Sequence, residues 1–388
     1  VASGLSPFGM AIIVPAMDTI AASYRADFSA AQFVVSAYLF GLTVAQPVVG
    51  YFCDRFGRRP VMLGGFTLFV AASVLCAFST TLSQLVVLRF IQAVGVSVGT
   101  VGSRAIVRDT YDPQSGAQAL SFIAAAMGIA PVIAPILGGL LVVYGGQRAV
   151  FLLTAAIGVV VLARLINHLP ETRTADTLQP KWREWMGSYK ALFRSRAFMG
   201  YTLTFGFVQG SFFSFLAVGA SVFATHFGLQ AQSFGLLWGV LTITYVFGAT
   251  LGGWANARFG MWPVLTVGVV ATLLAGWLLP LLNALTDTSL AGVLIPLGLM
   301  MCASGAVTPN AIAGAVYEHP KIAGTSSGLS SALAIGVGGL FTVVSGFIYD
   351  GDFGPIALLV ALATTLTALA WWLTHDARRA RPPEQSTS

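Results

Sequence analysis

Apolar runs of roughly twenty residues, separated by short polar breaks, repeat from one end of the chain to the other. A run of that length crosses about 30 Å of hydrocarbon as a helix, so the pattern predicts about twelve membrane spans. They fall near 4–22, 31–52, 61–79, 85–107, 116–143 and 149–168, then near 197–225, 233–256, 263–283, 289–316, 323–348 and 354–374. The only long polar stretch, "LPETRTADTLQPKWREWMGSYKALFRSR" at 169–196, separates the two sets of six. The expected organisation is a first six-helix bundle over 1–168, a linker over 169–196, a second bundle over 197–374 and a tail over 375–388.

Composition agrees with this pattern. Of 388 residues, 56% are hydrophobic and 9% charged, against about 25% charged in an ordinary soluble domain. The 43 Gly and 17 Pro are spread through apolar runs, where small residues let membrane helices approach closely. The runs lack the alternation of a lipid-spanning strand, so an all-α membrane protein is expected. The net charge of +6 sits at span ends and in short loops, not on one soluble face, and no nucleic-acid partner is expected. Cys53, Cys76 and Cys302 have no metal-ligand or disulfide spacing. Numbering starts at Val1 with no recognisable cleavable signal peptide, and an N-terminal piece is expected to be missing.

The basic residues also set an orientation. With a cytoplasmic N-terminus, outward loops hold only Arg25 and Arg148, and inward loops hold Arg55, Arg58, Arg59, Arg108, Arg258 and Lys321. Positive charge is retained on the cytoplasmic side, so the linker and both termini are expected there.

Two loops resemble each other. "GYFCDRFGRRPV" from Gly50 and "GWANARFGMWPV" from Gly253 share Gly, Arg-Phe-Gly and Pro-Val at matching positions, each after the second span of its half. Duplicated six-helix halves are an architecture of secondary transporters. The second copy has lost charge, with Ala257, Met261 and Trp262 where the first has Asp54, Arg58 and Arg59. In the first copy, Gly50 and Gly57 permit a tight turn, and Asp54 can accept from the free N–H groups that begin the next helix. Asp109, at the inner end of span four, is a partner for Arg55 or Arg58; the alternative is a simple topogenic charge cluster.

"GYFCDRFGRRPV" resembles the loop between spans two and three that marks the major facilitator superfamily. "LRFIQAVGVSVG" is similar to that family's span-four motif around a membrane Arg, and "GIAPVIAPILGG" to its span-five antiporter motif. "TPNAIAGAVYEHPKIAGTSSGL" resembles the span-ten to span-eleven region of the Bcr/CflA group of drug:proton antiporters. The resemblance implies twelve helices in two pseudo-symmetric six-helix bundles, in a bacterial inner membrane. It implies a monomer moving small lipophilic drugs outward against protons, with no cofactor beyond the coupling proton. A carrier of one specific metabolite, in either direction, is the competing reading. The resemblance further makes the Gly50 loop a cytoplasmic gate (Gly50, Asp54, Arg55, Gly57, Arg58, Arg59 and Asp109) that latches the halves in the outward-open state. It also assigns Gly128, Pro131, Pro135, Gly138 and Gly139 to an exporter motif.

Arg89 stands inside an apolar span, where a charge costs at least about 2.5 kcal/mol unless compensated; snorkelling to the outer surface is the alternative. The family's usual span-one acid is absent, its aligned place being Ala11 in "AIIVP". Asp18 lies two turns later on nearly the same face. It either forms a proton-responsive pair with Arg89 or marks the outer helix end. Tyr38, Gln46, Gln209, Trp238, Tyr245 and Asn310 are candidates for the wall of a central cavity, since a roomy pocket with few polar groups suits lipophilic ligands. "GTSSG" at Gly324 matches a hydrolase elbow, but that motif needs a preceding strand, and no enzyme is expected.

Overall fold

The computed structural model describes residues 2–110, 113–172, 182–229, 231–286, 289–319 and 322–374. The described residues form helices and connecting turns, with no strand. Span one consists of α1 (Leu5–Ala11), a 3₁₀ turn (Val14–Ala16) and α2 (Met17–Tyr24). After the short α3 (Phe28–Ala31) come α4 (Phe33–Phe56), α5 (Arg58–Ala77), α6 (Leu82–Thr110) and α7 (Pro113–His168). α8 (Trp182–Arg194) precedes α9 (Arg196–Phe227), α10 (Ala231–Phe259), α11 (Met261–Thr286), α12 (Leu290–Tyr317), α13 (Ala323–Ile348) and α14 (Gly354–Trp372).

Among the described residues, eleven segments are long and apolar enough to cross a membrane. The longest, Ile129–His168, is 40 residues, about 60 Å as helix and twice what one crossing needs. Its backbone leaves helical geometry at Gly146, φ 62° and ψ −168°, so it supplies spans five and six. Span one differs from the continuous helix expected over 4–22. Pro15, in the 3₁₀ turn, has no N–H to donate, and the α-helix stops at Ala11 and resumes at Met17.

The helices pack as two groups. In the first, α4 and α5 lie against α6, and α5 against α7; in the second, α9 lies against α12, α13 and α14, and α12 against α10 and α11. The groups meet where α4 packs on α13 and α7 on α10. An exchange of halves that carries span two to eight also carries span eleven to five, so these two contacts are equivalent. Gly57 and Gly260, equivalent in the repeated loops, share a positive φ of 101° and 79°, which a side chain would strain.

Among the described residues, the contacts between halves named below lie at one end. Thr43 lies at Gly336, Leu39 and Phe40 at Gly339, and Gln32 at Gly346. Phe33 meets Phe347 and Phe28 meets Tyr349 edge-on. The amide of Gln32 donates to the Ala217 carbonyl at 2.5 Å. All of these lie from mid-span toward the end carrying Asp18. One apolar cluster there joins Ile12, Val34 and Leu39 of the first half to Phe213, Phe215 and Trp238 of the second. At the opposite end, which carries Arg58, Gly253 and Gly328 have open space where a Cβ would stand.

Candidate functional site

Arg89 is 1% exposed, so it does not snorkel. Its Nε donates to the Val34 carbonyl at 3.3 Å, and its two terminal nitrogens to the Gly9 carbonyl at 3.1 Å and to Gln92 Oε1. Gln92 Nε2 donates on to Ser73 Oγ at 2.6 Å. The guanidinium stands 4.1 Å above the ring of Tyr38, whose hydroxyl donates to the Ser6 carbonyl at 2.9 Å. Charge-assisted hydrogen bonds contribute roughly 1.5–3 kcal/mol each and a desolvated cation–π contact about 2 kcal/mol. Together these exceed the insertion cost of about 2.5–3.5 kcal/mol, so the charge is accommodated without a carboxylate.

The expected Asp18–Arg89 pair is not formed. Asp18 is exposed, at the first turn of α2 beyond the break in span one. Its carboxylate accepts from Ser221 Oγ of α9, at 2.7 and 2.9 Å. Arg89 points instead at α1, before the break, where the Gly9 carbonyl receives it. Asp18 therefore ties the first half to the second rather than neutralising a buried cation.

The proposed cavity residues divide. Tyr38 belongs to the Arg89 nest and is fully buried. Trp238, 2% exposed, is packed among Phe212, Phe215 and Phe234 at ring distances of 5.1 to 6.1 Å, in an aromatic cluster and not on an open wall. Asn310 is 3% exposed and accepts from Asn256 at 2.9 Å, tying α12 to α10. Gln46 is buried; Gln209 and Tyr245 are half-buried. Neither glutamine has a hydrogen-bond partner among the described residues, which leaves both amides free for a ligand.

At the opposite end, Arg58 is 1% exposed and donates from Nε to Asp109 Oδ2 at 2.8 Å. Another of its nitrogens donates to the Cys53 carbonyl at 2.8 Å. Of the two partners open to Asp109, the fold uses Arg58. Arg55 donates to the Tyr51 hydroxyl at 2.8 Å, and Arg59 to the Ile166 carbonyl at 3.3 Å. A carboxylate from beyond span six reaches the start of α5. The first N–H groups of α5, those of Arg58 and Arg59, donate to the carboxylate of Glu171 at 2.9 and 3.2 Å. Glu171 follows span six, and sequence reasoning left it in the linker. A side chain at Gly57 would strike that carboxylate. The side chains of Asp54 and Arg108 lie outside the described residues, as do the surroundings of Gly128. Gly50 packs loosely on Val101 of α6.

The span-five motif lies at two helix crossings. Pro131 and Pro135 stand inside α7. Gly138 faces the Ile12 carbonyl at the break in span one, with no room for a Cβ. Gly235 of α10 lies against the Pro135 carbonyl of the other half. Gly139 is buried beside them. The glycine pairs elsewhere, Gly95 on Phe69 and Gly248 on Cys302, serve packing inside their own halves. "GTSSG" lies in the first turns of α13, with Ser326 fully buried, and has none of the geometry of a nucleophile.

The chain matches the Major Facilitator Superfamily over residues 1–342. It is 29% identical over 362 residues to multidrug resistance protein D of Escherichia coli (strain K12), covering 93% of this chain and 90% of that one. It is 23% identical over 372 residues to a bicyclomycin resistance protein homolog of Haemophilus influenzae (strain ATCC 51907 / DSM 11121 / KW20 / Rd), covering 95% and 93%. Its fold is similar to that of a bacterial homolog of the human lysosomal transporter Spinster in an inward-facing, unoccupied conformation, with TM-score 0.76 at 16% identity over 97% and 95% of the chains. With two six-helix groups joined through spans two and eleven and spans five and eight, a repeated Arg-Phe-Gly turn and these kinships, the chain belongs to the major facilitator superfamily, among its Bcr/CflA-like members.

Proposed function

We propose that this chain is a secondary active exporter of lipophilic drugs, coupled to inward proton flow and working by alternating access. The observation that carries the reading is similarity, over nearly the whole of each chain, to proteins named for multidrug and bicyclomycin resistance. By the charge bias of its loops the Arg58 end faces the cytoplasm of a bacterium, and the described state is then sealed outward. Export requires the Asp18 end to part as the Arg58 end closes.

Asp18 is the acid this reading uses for coupling. It stands at the seal, bonded across the halves to Ser221 and close to Tyr349 of the α13 end. Protonation removes the charge that Ser221 donates to and weakens the tie at the point that must open. Arg89 holds α1 on α4 and α6, keeping the broken span in register. The protein works as a monomer, with lipid around it and a small molecule between its halves.

Susceptibility of an efflux-deficient bacterium, with drug uptake into everted vesicles, tests this. The wild type is expected to protect against several unrelated lipophilic drugs and to lose transport when the pH gradient is collapsed. Arg89→Ala is expected to abolish protection. Asp18→Asn is expected to retain drug counterflow without a gradient but lose the response to pH. Transport of a single polar metabolite and of no drug would replace the reading with that of a metabolite carrier.

A further inference from the structure

A second arginine in span four has no partner among the described residues. Arg104 lies inside the segment Leu82–Val107, and its side chain is exposed. No hydrogen bond or ion pair reaches its guanidinium among the described residues. The acid on its own helix, Asp109, is held by Arg58. A cation within a membrane span marks a functional site by its cost, and Arg89 shows what compensation looks like when a cation serves packing. Arg104 has none of it.

The helix geometry says where it points. α6 turns Gly95 and Gly102 toward Phe69 and Met62 of α5, and Val101 toward Gly50 of α4. Gly99 meets the start of span one at Ala2. At about 100° per residue, Arg104 faces away from α5, between the α4 side and the span-one side. One turn deeper on the same face is Thr100, 4% exposed, whose hydroxyl has no hydrogen-bond partner. Arg104 is five residues, about 7.5 Å of helix rise, deeper than Asp109, and so stands just inside the end of the bundle where the halves are not sealed together. A molecule entering from that end meets the guanidinium first, with the unpartnered but buried Thr100 hydroxyl one turn beyond it.

We propose that Arg104, with Thr100 behind it, is a charge-selecting site at the unsealed end of the bundle, and that the preferred substrates are amphiphilic organic anions, with a carboxylate, sulfonate or phenolate on an apolar body. The guanidinium offers bidentate hydrogen bonds to such a group and repels lipophilic cations. This rests on the exporter reading for its biological meaning, but not for its physics.

The test is equilibrium binding to the purified chain in phosphatidylcholine nanodiscs, read by fluorescence anisotropy with two dyes of one xanthene framework, anionic fluorescein and cationic rhodamine 123. The wild type is expected to bind fluorescein at least tenfold more tightly. Arg104→Gln is expected to remove that preference, Arg104→Lys to keep most of it, and Thr100→Val to weaken fluorescein alone. Equal or tighter binding of rhodamine 123 by the wild type overturns the proposal, as does an Arg104→Gln variant that weakens both dyes alike. A phospholipid headgroup carries the same charge, so the titration is repeated with phosphatidylglycerol in the disc. Loss of the Arg104-dependent preference there reassigns the site to lipid and overturns its role in substrate choice. Charge-selective binding without export in vesicles would leave this site standing and remove the exporter reading.

Discussion

Arg89 holds three segments together with one side chain, through the carbonyls of Gly9 and Val34 and the amide of Gln92. A lysine keeps the charge but not the planar fork that reaches all three acceptors at once. Arg89→Lys is therefore expected to lower stability by about 3 kcal/mol, two charged hydrogen bonds at the low end of their range, and to slow transport more than tenfold. Thermal unfolding in detergent and drug uptake read the two effects. The sequence pointed to Arg89 because one charge in an apolar run must be compensated. It could not name the compensation, since two of the acceptors are backbone carbonyls and any residue supplies those. Asp18 was legible as the acid of span one, yet its partner Ser221 is far away in the chain and has no distinguishing pattern. Arg104 was overlooked for the opposite reason, because a basic residue near a span end is ordinary and only the absence of a partner in space sets it apart.

At the scale of single elements, the α4–α5 turn depends on a glycine and a distant carboxylate. Gly57→Ala forces a side chain into a positive-φ position, at about 1–2 kcal/mol, and displaces Glu171 from the start of α5. Glu171→Gln keeps the shape and loses only the charge, at about 1 kcal/mol or less. Denaturation of the two variants should rank Gly57→Ala as the more damaging; the reverse order would mean that the carboxylate, not the turn, governs this junction. α8 offers a second test. Leu192 and Tyr189 dock it on a cluster with Phe198, Tyr201 and Leu265, and Arg194, Lys190 and Phe193 are exposed. Burial pushes the Tyr189 phenol up to about 12. A raised value means that the docked state favours the neutral phenol, so its contribution is complete below the ordinary value of about 10 and is lost as pH climbs through about 12. Proteolysis between α8 and α9 should accelerate only in that alkaline window, and Tyr189→Phe should abolish the pH dependence. The helix break at Ile12–Ala16 was half visible in Pro15, but a proline inside a membrane helix is often tolerated. What makes it a true break is the room that Gly138 gives to the Ile12 carbonyl.

For the whole molecule, one sealed end and one unsealed end define a state, and a transporter must leave that state to work. Phe33 and Phe347 face each other across the halves with ring centres 5.9 Å apart. In a background with Cys53, Cys76 and Cys302 replaced, a Phe33→Cys, Phe347→Cys pair is expected to be bridged by a short bis-methanethiosulfonate reagent, to stop drug uptake, and to recover on reduction. Uptake that continues with the cross-link complete would show that these helices do not separate during the cycle. The two equivalent contacts, α4 on α13 and α7 on α10, are the surfaces that must slide or part. The span-five motif stands at one of them, which gives Pro135 and Gly138 a mechanical place: they bring α7 against both span one and α10.

The sequence by itself determined the class of protein, the spans, the repeated Arg-Phe-Gly turn and the family. All of these follow from local properties: apolar length matched to a bilayer, charge kept out of it, and short motifs that need only their own neighbours. It did not determine that Gly146 rather than a polar loop separates spans five and six, or that Glu171 reaches the first N–H groups of α5. Nor did it determine that Asp18 reaches Ser221 rather than Arg89, or which of the candidate side chains remain free. Those depend on which helix faces meet and at which depth. That is decided by the close packing of small residues and by where carbonyl acceptors happen to point, and neither is written in any single stretch of the chain.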